Sequence, residues 1–320
     1  MQKRAASVRE SNGRITVLAG GVGAARFVAG LAACVDPASI TVICNVGDDF
    51  EWQGLYIAPD IDTVTYTLAG LEGEAGWGLR DDSTVTLDAL QEIDGDNWFR
   101  VGDRDLATHL QRTRMLRAGQ TLAEATAELA RARGLSSVLV PVTNDPHPTM
   151  VVTDSGELPF QVYFVQRGAL DAVRAIRLPL AIDTRPAPGV LESISRAELV
   201  IVAPSNPFLS IEPILAVPGV RDALEQSPAR RIAVSPIVGG EAVKGPAADL
   251  LRTLGHEVSA TGVASLFRGL IDCFVLDAVD VLLVPAIEAI GMRAVAVDTM
   301  MVDQQARARV ARDVLEAARA

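Results

Sequence analysis

Four aspartates fall within the fifteen residues from Asp48 to Asp62, in the runs Asn45-Val-Gly-Asp-Asp49 and Pro59-Asp-Ile-Asp-Thr63. Carboxylates at that density, Asp48, Asp49, Asp60 and Asp62, can hold a Mg²⁺ that also touches ligand phosphates. One of them can instead accept a proton from an attacking hydroxyl. The plainer reading makes Asp60 and Asp62 turn or N-cap residues before a helix starting near Thr63. Upstream stands Leu18-Ala-Gly-Gly-Val-Gly-Ala-Ala-Arg26. Gly20, Gly21 and Gly23 let a backbone turn sharply beside a phosphate, and the helix that follows offers unpaired N–H donors to an anion. No Gly-Lys-Ser/Thr follows, so this is not a P-loop. Arg26 occupies the place of a third glycine counted from Gly21, and strand two ends at Asn45 with no acid for a ribose. A nicotinamide dehydrogenase is disfavoured on both counts.

Gly102-Asp-Arg-Asp-Leu-Ala-Thr-His109 opens a further helix, with Asp103 as its expected N-cap and Asp105 and His109 one turn apart. Arg104, between two acids at a helix start, is expected to meet an anion. Arg26 reads as an exposed neighbour of the glycine loop. Two later loops, Ala203-Pro-Ser-Asn-Pro-Phe208 and Val234-Ser-Pro-Ile237, supply short polar groups on rigid backbone: Ser205 and Asn206 before Pro207, then Ser235. Gly245 precedes another helix. Trp77, Trp98 and Tyr66 offer aromatic surface suited to a flat ring.

The elements that must position these groups read as an α/β fold, a doubly wound, mostly parallel Rossmann-like sheet. Near-continuous aliphatic runs at Ile15–Ala19, Ile40–Cys44, Leu199–Ala203, Arg231–Ser235, Cys273–Leu276 and Ala294–Val297 suit strands covered on both faces. Helical spacing follows most of them. Asp103–Arg117 and Thr121–Arg133 read as helices, and Met150–Thr153 with Phe160–Val165 as an extra strand pair. Residues 1–63 and 186–320 are therefore expected to form the nucleotide-binding core, with 64–185 a largely helical insertion. Asp303–Ala320 closes the chain as an amphipathic helix.

The net charge of −11, from 40 acidic and 29 basic residues, excludes a protein that coats nucleic acid. Three scattered cysteines, Cys34, Cys44 and Cys273, fit neither a disulfide framework nor a zinc site and point to a reducing cytoplasm. Lys3, Arg4, Arg9 and Arg14 ahead of the apolar stretch Ile15–Val35, with Leu31-Ala-Ala-Cys34, imitate a lipoprotein signal. Arg26 and four glycines inside that stretch argue against it.

The chain resembles the CofD/FbiA family, the phospholactate transferases of coenzyme F-420 biosynthesis. The matching blocks are GGVGAARF at Gly20–Phe27, NVGDDFEWQGLYIAPDIDTVTYTL at Asn45–Leu68 and GWGL at Gly76–Leu79. They continue with GDRDLATHLQRTRMLRAG at Gly102–Gly119, APSNPFLSIEPIL at Ala203–Leu215, and VSPIVGG and VKGPA between Val234 and Ala247. The resemblance implies a guanosine-diphospho donor carrying a lactyl, enolpyruvyl or glyceryl acid. Its acceptor would be the ribityl hydroxyl of the 8-hydroxy-5-deazaflavin Fo, with GMP released and Mg²⁺ required. It also implies a homodimer. By motif match, Gly20, Gly21, Gly23, Ser205, Asn206 and Ser235 would hold the nucleotide, with Pro207, Gly245, Asp49 and Asp60 beside it. Asp48 and Asp62 would hold the metal and, with Arg104, serve catalysis. A related family of sugar-nucleotide-binding regulators shares the glycine loop, which leaves a binding protein without chemistry as the alternative.

Overall fold

Seven aliphatic strands pair side by side, every one parallel to its neighbours. They are β1 (Ile15–Ala19), β2 (Ile40–Cys44), β3 (Val138–Pro141), β4 (Leu199–Val202), β5 (Arg230–Val234), β6 (Cys273–Asp277) and β7 (Arg293–Val297). The computed structural model describes residues 13–93, 95 and 97–319. The sheet order is β7-β6-β5-β4-β1-β2-β3. Chain progress therefore reverses direction between β1 and β4, and ligands of doubly wound sheets bind at such a switch, outside the strands' carboxyl ends. The glycine loop leaves β1 there, and Ala203-Pro-Ser-Asn206 leaves β4.

Helices cover both faces because the strands are apolar on both sides: β1, β4 and β6 are buried along their whole length. Helix α1 (Gly21–Ala32) buries Phe27, Val28 and Leu31 in the main core. Helix α2 (Pro59–Leu68) and the closing helix α5 (Gln304–Arg319) pack against it. The apolar stretch that imitates a lipoprotein signal is thus β1 and α1, inside the core. Lys3, Arg4 and Arg9 lie outside the described residues. Among those described, no helix is long and apolar enough to cross a membrane.

Two sequence readings need correction in the middle of the chain. Val138–Pro141, within the supposed insertion, is a strand of the central sheet and pairs with β2 from Thr41↔Val138 to Cys44↔Pro141. Its four residues end in proline, tolerated because this is an edge strand. The non-core material therefore falls on both sides of β3. Phe160–Val165, conversely, is not a strand. Met150–Thr153 pairs with Gly156–Pro159 and with Val173–Arg177, while Val162–Gln166 winds as a π-helical turn.

Helices α3 (Asp103–Arg117) and α4 (Leu122–Ala132) lie where their sequence spacing places them. Thr121 and Glu124 form a capping box on α4. Asp103, however, is not the N-cap of its own helix. That position is Gly102; the Asp103 N–H donates to the Ser83 carbonyl at 2.8 Å, and the next two, on Arg104 and Asp105, donate to Asp82 at 2.8 and 2.9 Å. Asp103 turns outward and caps the helix Val85–Ile93 through the N–H groups of Val85 and Thr86.

Candidate active site

A cavity of 630 Å³ opens along the carboxyl ends of β1, β2, β4 and β5. Its volume suits a nucleotide-sized ligand. At its base α1 begins with Gly21 at φ +74°, a left-handed geometry that favours glycine. The other two glycines are fixed by crowding. A Cβ at Gly20 would stand 2.4 Å from Asp60 Oδ2, and one at Gly23 would stand 2.3 Å from the Pro204 carbonyl oxygen. The loop is thereby clamped between the β2 side and the β4 side of the switch.

Asp60 is what holds the loop. Pro59 stands at the first position of α2, where its fixed φ starts the helix four residues ahead of Thr63. Asp60 and Asp62 thus lie in the first helical turn and are buried there. Asp60 Oδ1 accepts the Gly21 N–H at 2.7 Å, and Oδ2 accepts the Asn45 amide at 2.9 Å. Burial pushes the Asp60 carboxyl up to about 6 against the pull of those two hydrogen bonds. Because Gly21 is already engaged, the N–H groups of Val22 and Gly23 are the first-turn donors left for an anion.

Asp48, like Asp49, leaves one buried oxygen without a partner, but it lines the cavity and Asp49 does not. The Oδ2 of Asp48 accepts the side-chain amide of Gln161 at 3.2 Å, while its Oδ1 is buried without a partner. Burial, and then the charges of Asp60 and Asp49, push its carboxyl well above the ordinary range. Asp62, by contrast, is fully engaged: Arg112 donates from Nη1 at 3.0 Å to one oxygen and from Nη2 to the other. His109 lies between Asp62 and Asp105, at 3.6 and 3.4 Å, and Tyr66 donates its hydroxyl to Asp105 at 2.6 Å. Burial raises the Asp105 carboxyl, but His109, Tyr66 and Arg112 together draw it below the usual value.

A cation fits this site in one place better than another. Ligand atoms of Asp62, Asp105 and His109 converge within 4.8 Å, yet Arg112 already supplies a cation to Asp62 there. Asp48 Oδ1 is the buried oxygen without a partner among the cavity's carboxylates, and Asp60 adds like charge beside it. Hard oxygen donors of that kind suit Mg²⁺.

The model of one known family, described as 2-phospho-L-lactate transferase CofD, matches residues 15–315. This chain belongs to the CofD family. The CofD chain is 43% identical over 311 residues to a phosphoenolpyruvate transferase of Kitasatospora aureofaciens, covering 94% of this chain and 97% of that one. It is 37% identical over 305 residues to a 2-phospho-L-lactate transferase of Methanospirillum hungatei, covering 94% and 99%. Its fold is similar to that of a upf0052-family protein from Bacillus halodurans (TM-score 0.65, 18% identity, 95% of this chain and 99% of that one). The CofD chain is accordingly a transferase, and the reading as a binding protein without chemistry is not favoured.

The CofD cavity gathers most of the residues singled out from sequence: Gly20, Gly21 and Gly23, Asp48, Asp60 and Asp62, Ser205 and Asn206, Ser235 and Gly245. Three others are not brought to its wall. Asp49 accepts the Tyr56 hydroxyl at 2.9 Å behind the loop. Pro207 starts the turn Pro207–Ile211, which Asn206 Oδ1 caps. Arg104 is exposed and donates to the Arg80 carbonyl at 3.1 Å, so its expected anion contact is not supported. Ser235 reaches the wall with its hydroxyl already spent on Ile237.

Sequence reasoning missed Gln161, Arg100 and Lys244, all on the wall. It also misjudged Arg26, which is half-buried and lines the cavity. The departure from a third glycine was the available signal for Arg26. Gln161 carried none, being inside a stretch read as a strand. Of the aromatics, Trp77 and Tyr66 line the cavity, whereas Trp98 packs on Phe50 at 5.6 Å.

Proposed function

We propose that this chain transfers a phospho-three-carbon-acid group from a guanosine-diphospho donor to the ribityl hydroxyl of Fo. The observation that carries this reading is the meeting, on one cavity wall, of the glycine loop with the partnerless Asp48 oxygen. In the reaction the acceptor oxygen forms a bond to the outer phosphorus. The bond from that phosphorus to the bridging oxygen breaks, and GMP leaves with the electron pair. The hydroxyl proton passes to Asp60, whose proton affinity burial raises.

The Val22 and Gly23 N–H groups bind donor phosphate, and Ser205, Asn206 and Gly245 flank the nucleotide. Asp48, through its unpartnered Oδ1, would hold Mg²⁺. When bound, the ion supplies neutralisation of phosphate charge, which is most of the catalysis in phosphoryl transfer. Asp62 orients the cluster through Arg112. Tyr66, Trp77, Phe99 and the stacked pair Phe160 and Phe164 (5.4 Å, 20°) give the apolar wall a flat acceptor requires.

The enolpyruvyl donor is favoured over the lactyl one. Relatives named phosphoenolpyruvate transferase range from 37% to 43% identity, with four of five above 40%, against 37% to 39% for those named 2-phospho-L-lactate transferase. The same reading carries a cytoplasmic homodimer. The test is GMP release, followed by chromatography, from each donor with Mg²⁺. Release that requires Fo supports the reading; release independent of Fo, or none from any donor, defeats it.

A further inference from the structure

Two cations converge on the cavity wall without an acid between them. Lys244 follows the hairpin Ile237–Ala242 and donates from Nζ to the Ala75 carbonyl. Arg26, on α1, approaches the adjacent residue: a Cβ at Gly76 would stand 3.5 Å from its Nη2. Both heads thus meet at the Ala75–Gly76 peptide, and both side chains line the cavity that holds Gly21 and Gly23.

Neither cation is paired directly with a carboxylate. Among the described residues neither takes part in an ion pair; Glu72, whose charge reaches Arg26, is held through Oε1 by Arg307 at 2.9 Å, with Oε2 buried and unpartnered. Arg26 Nε is buried without an acceptor. Burial, and then Arg307, lower the proton affinity of Arg26, while burial and then Arg26 lower that of Lys244. In a chain with 40 acidic and 29 basic residues, acids to pair with them are plentiful. Leaving two like charges together is unfavourable unless an anion occupies the gap.

We propose that Arg26 and Lys244 form a clamp for an anionic group of the donor, a phosphate or carboxylate oxygen beyond those held by the glycine-loop N–H groups. The assignment rests on the donor reading above and adds what recognises the donor's charge. Arg26 suits this role through its planar fork of donors, and Lys244 through a flexible point charge. Lys244 also ties the loop around Ala75 across the cavity, so donor binding and the position of Trp77 share one contact.

Calorimetric titration of wild type, Arg26→Gln, Lys244→Met and Lys244→Arg tests the clamp, with GMP, GDP and the enolpyruvyl-diphosphoguanosine donor as probes. Both neutral variants should lose roughly tenfold or more in donor affinity, and Lys244→Arg should retain most of it. A loss already present with GDP assigns the clamp to phosphate. A loss confined to the full donor assigns it to the carboxylate. Thermal melting near wild type shows that the variants are folded, as expected for partly exposed side chains. Unchanged affinity for all three probes in Arg26→Gln and Lys244→Met overturns the clamp while leaving the transferase reading intact. Absence of GDP and donor binding by the wild type overturns both.

Discussion

Arg112 grips both carboxylate oxygens of Asp62 in the interior, with the arginine side chain 1% exposed. This pairing separates two aspartates that look alike in sequence. Asp62 belongs to a buried network running from Arg112 through His109 to Asp105 and Tyr66, whereas Asp48 has no cationic partner and keeps one oxygen unengaged.

Asp62→Asn and Asp48→Asn should therefore fail differently. Removing the Asp62 charge strands Arg112, and breaking one side of a buried ion pair costs about 3 kcal/mol or more. Urea unfolding should show that loss for Asp62→Asn and none of comparable size for Asp48→Asn, whose ionised form is already disfavoured by burial. Equal stability of the two variants would contradict the separation.

The glycine loop should reject even a methyl group. Gly20→Ala places a Cβ against Asp60 and Ser210, and Gly23→Ala places one against the Pro204 backbone. Overpacking of this kind costs about 1–3 kcal/mol, and in Gly20→Ala it also displaces the acid that holds the Gly21 N–H. Both variants should melt lower and bind GDP more weakly in calorimetry. Wild-type affinity in either would mean the loop is not the phosphate site.

Arg104→Lys should be close to neutral. The side chain is exposed, outside the cavity, and bonded to one carbonyl that lysine can also reach. Turnover and GDP affinity should both stay near wild type, and a loss of roughly tenfold in either would restore the anion role that the sequence suggested.

His147 gives the protein a pH dependence of known sign. Burial lowers its imidazole below the ordinary 6.5, while Nε2–H donates to the Pro213 carbonyl at 2.7 Å. A base with depressed folded proton affinity favours folding above its unfolded value, and that contribution disappears as pH falls below it. Wild type should thus lose more stability than His147→Gln between about pH 7.5 and pH 5.5. Parallel denaturation midpoints across that range would show that His147 adds no slope.

How much was legible follows from the kind of signal each part carries. The strands β1, β2, β4 to β7 are aliphatic on both faces, and short apolar runs between helices reveal such strands wherever they occur. Val138–Pro141 escaped because it is a four-residue edge strand with Val138 half exposed and a proline at its end. The glycine loop and Asp48 were readable because backbone geometry and carboxylate chemistry restrict residue type. Arg112 was not, since an arginine 50 residues from its partner has no local pattern. Gln161 shares that problem, lying 113 residues from Asp48. Arg104 misled because helix-start electrostatics show a charge but not its direction; Asp82, not an external anion, satisfies that helix start.

The central claim is phosphoryl-group transfer to Fo at the Asp48 cluster. Its most direct test is the mass of the product formed from Fo and the enolpyruvyl-diphosphoguanosine donor with Mg²⁺, measured for wild type and Asp48→Asn side by side. Wild type should yield Fo joined through a phosphodiester to the enolpyruvyl acid, with one GMP for each product. Asp48→Asn should remain folded and form that product on the order of 10²-fold more slowly, as for loss of an electrostatic catalytic group. No phosphodiester from wild type with any of the three donors, or wild-type turnover by Asp48→Asn at saturating Mg²⁺, would contradict the account.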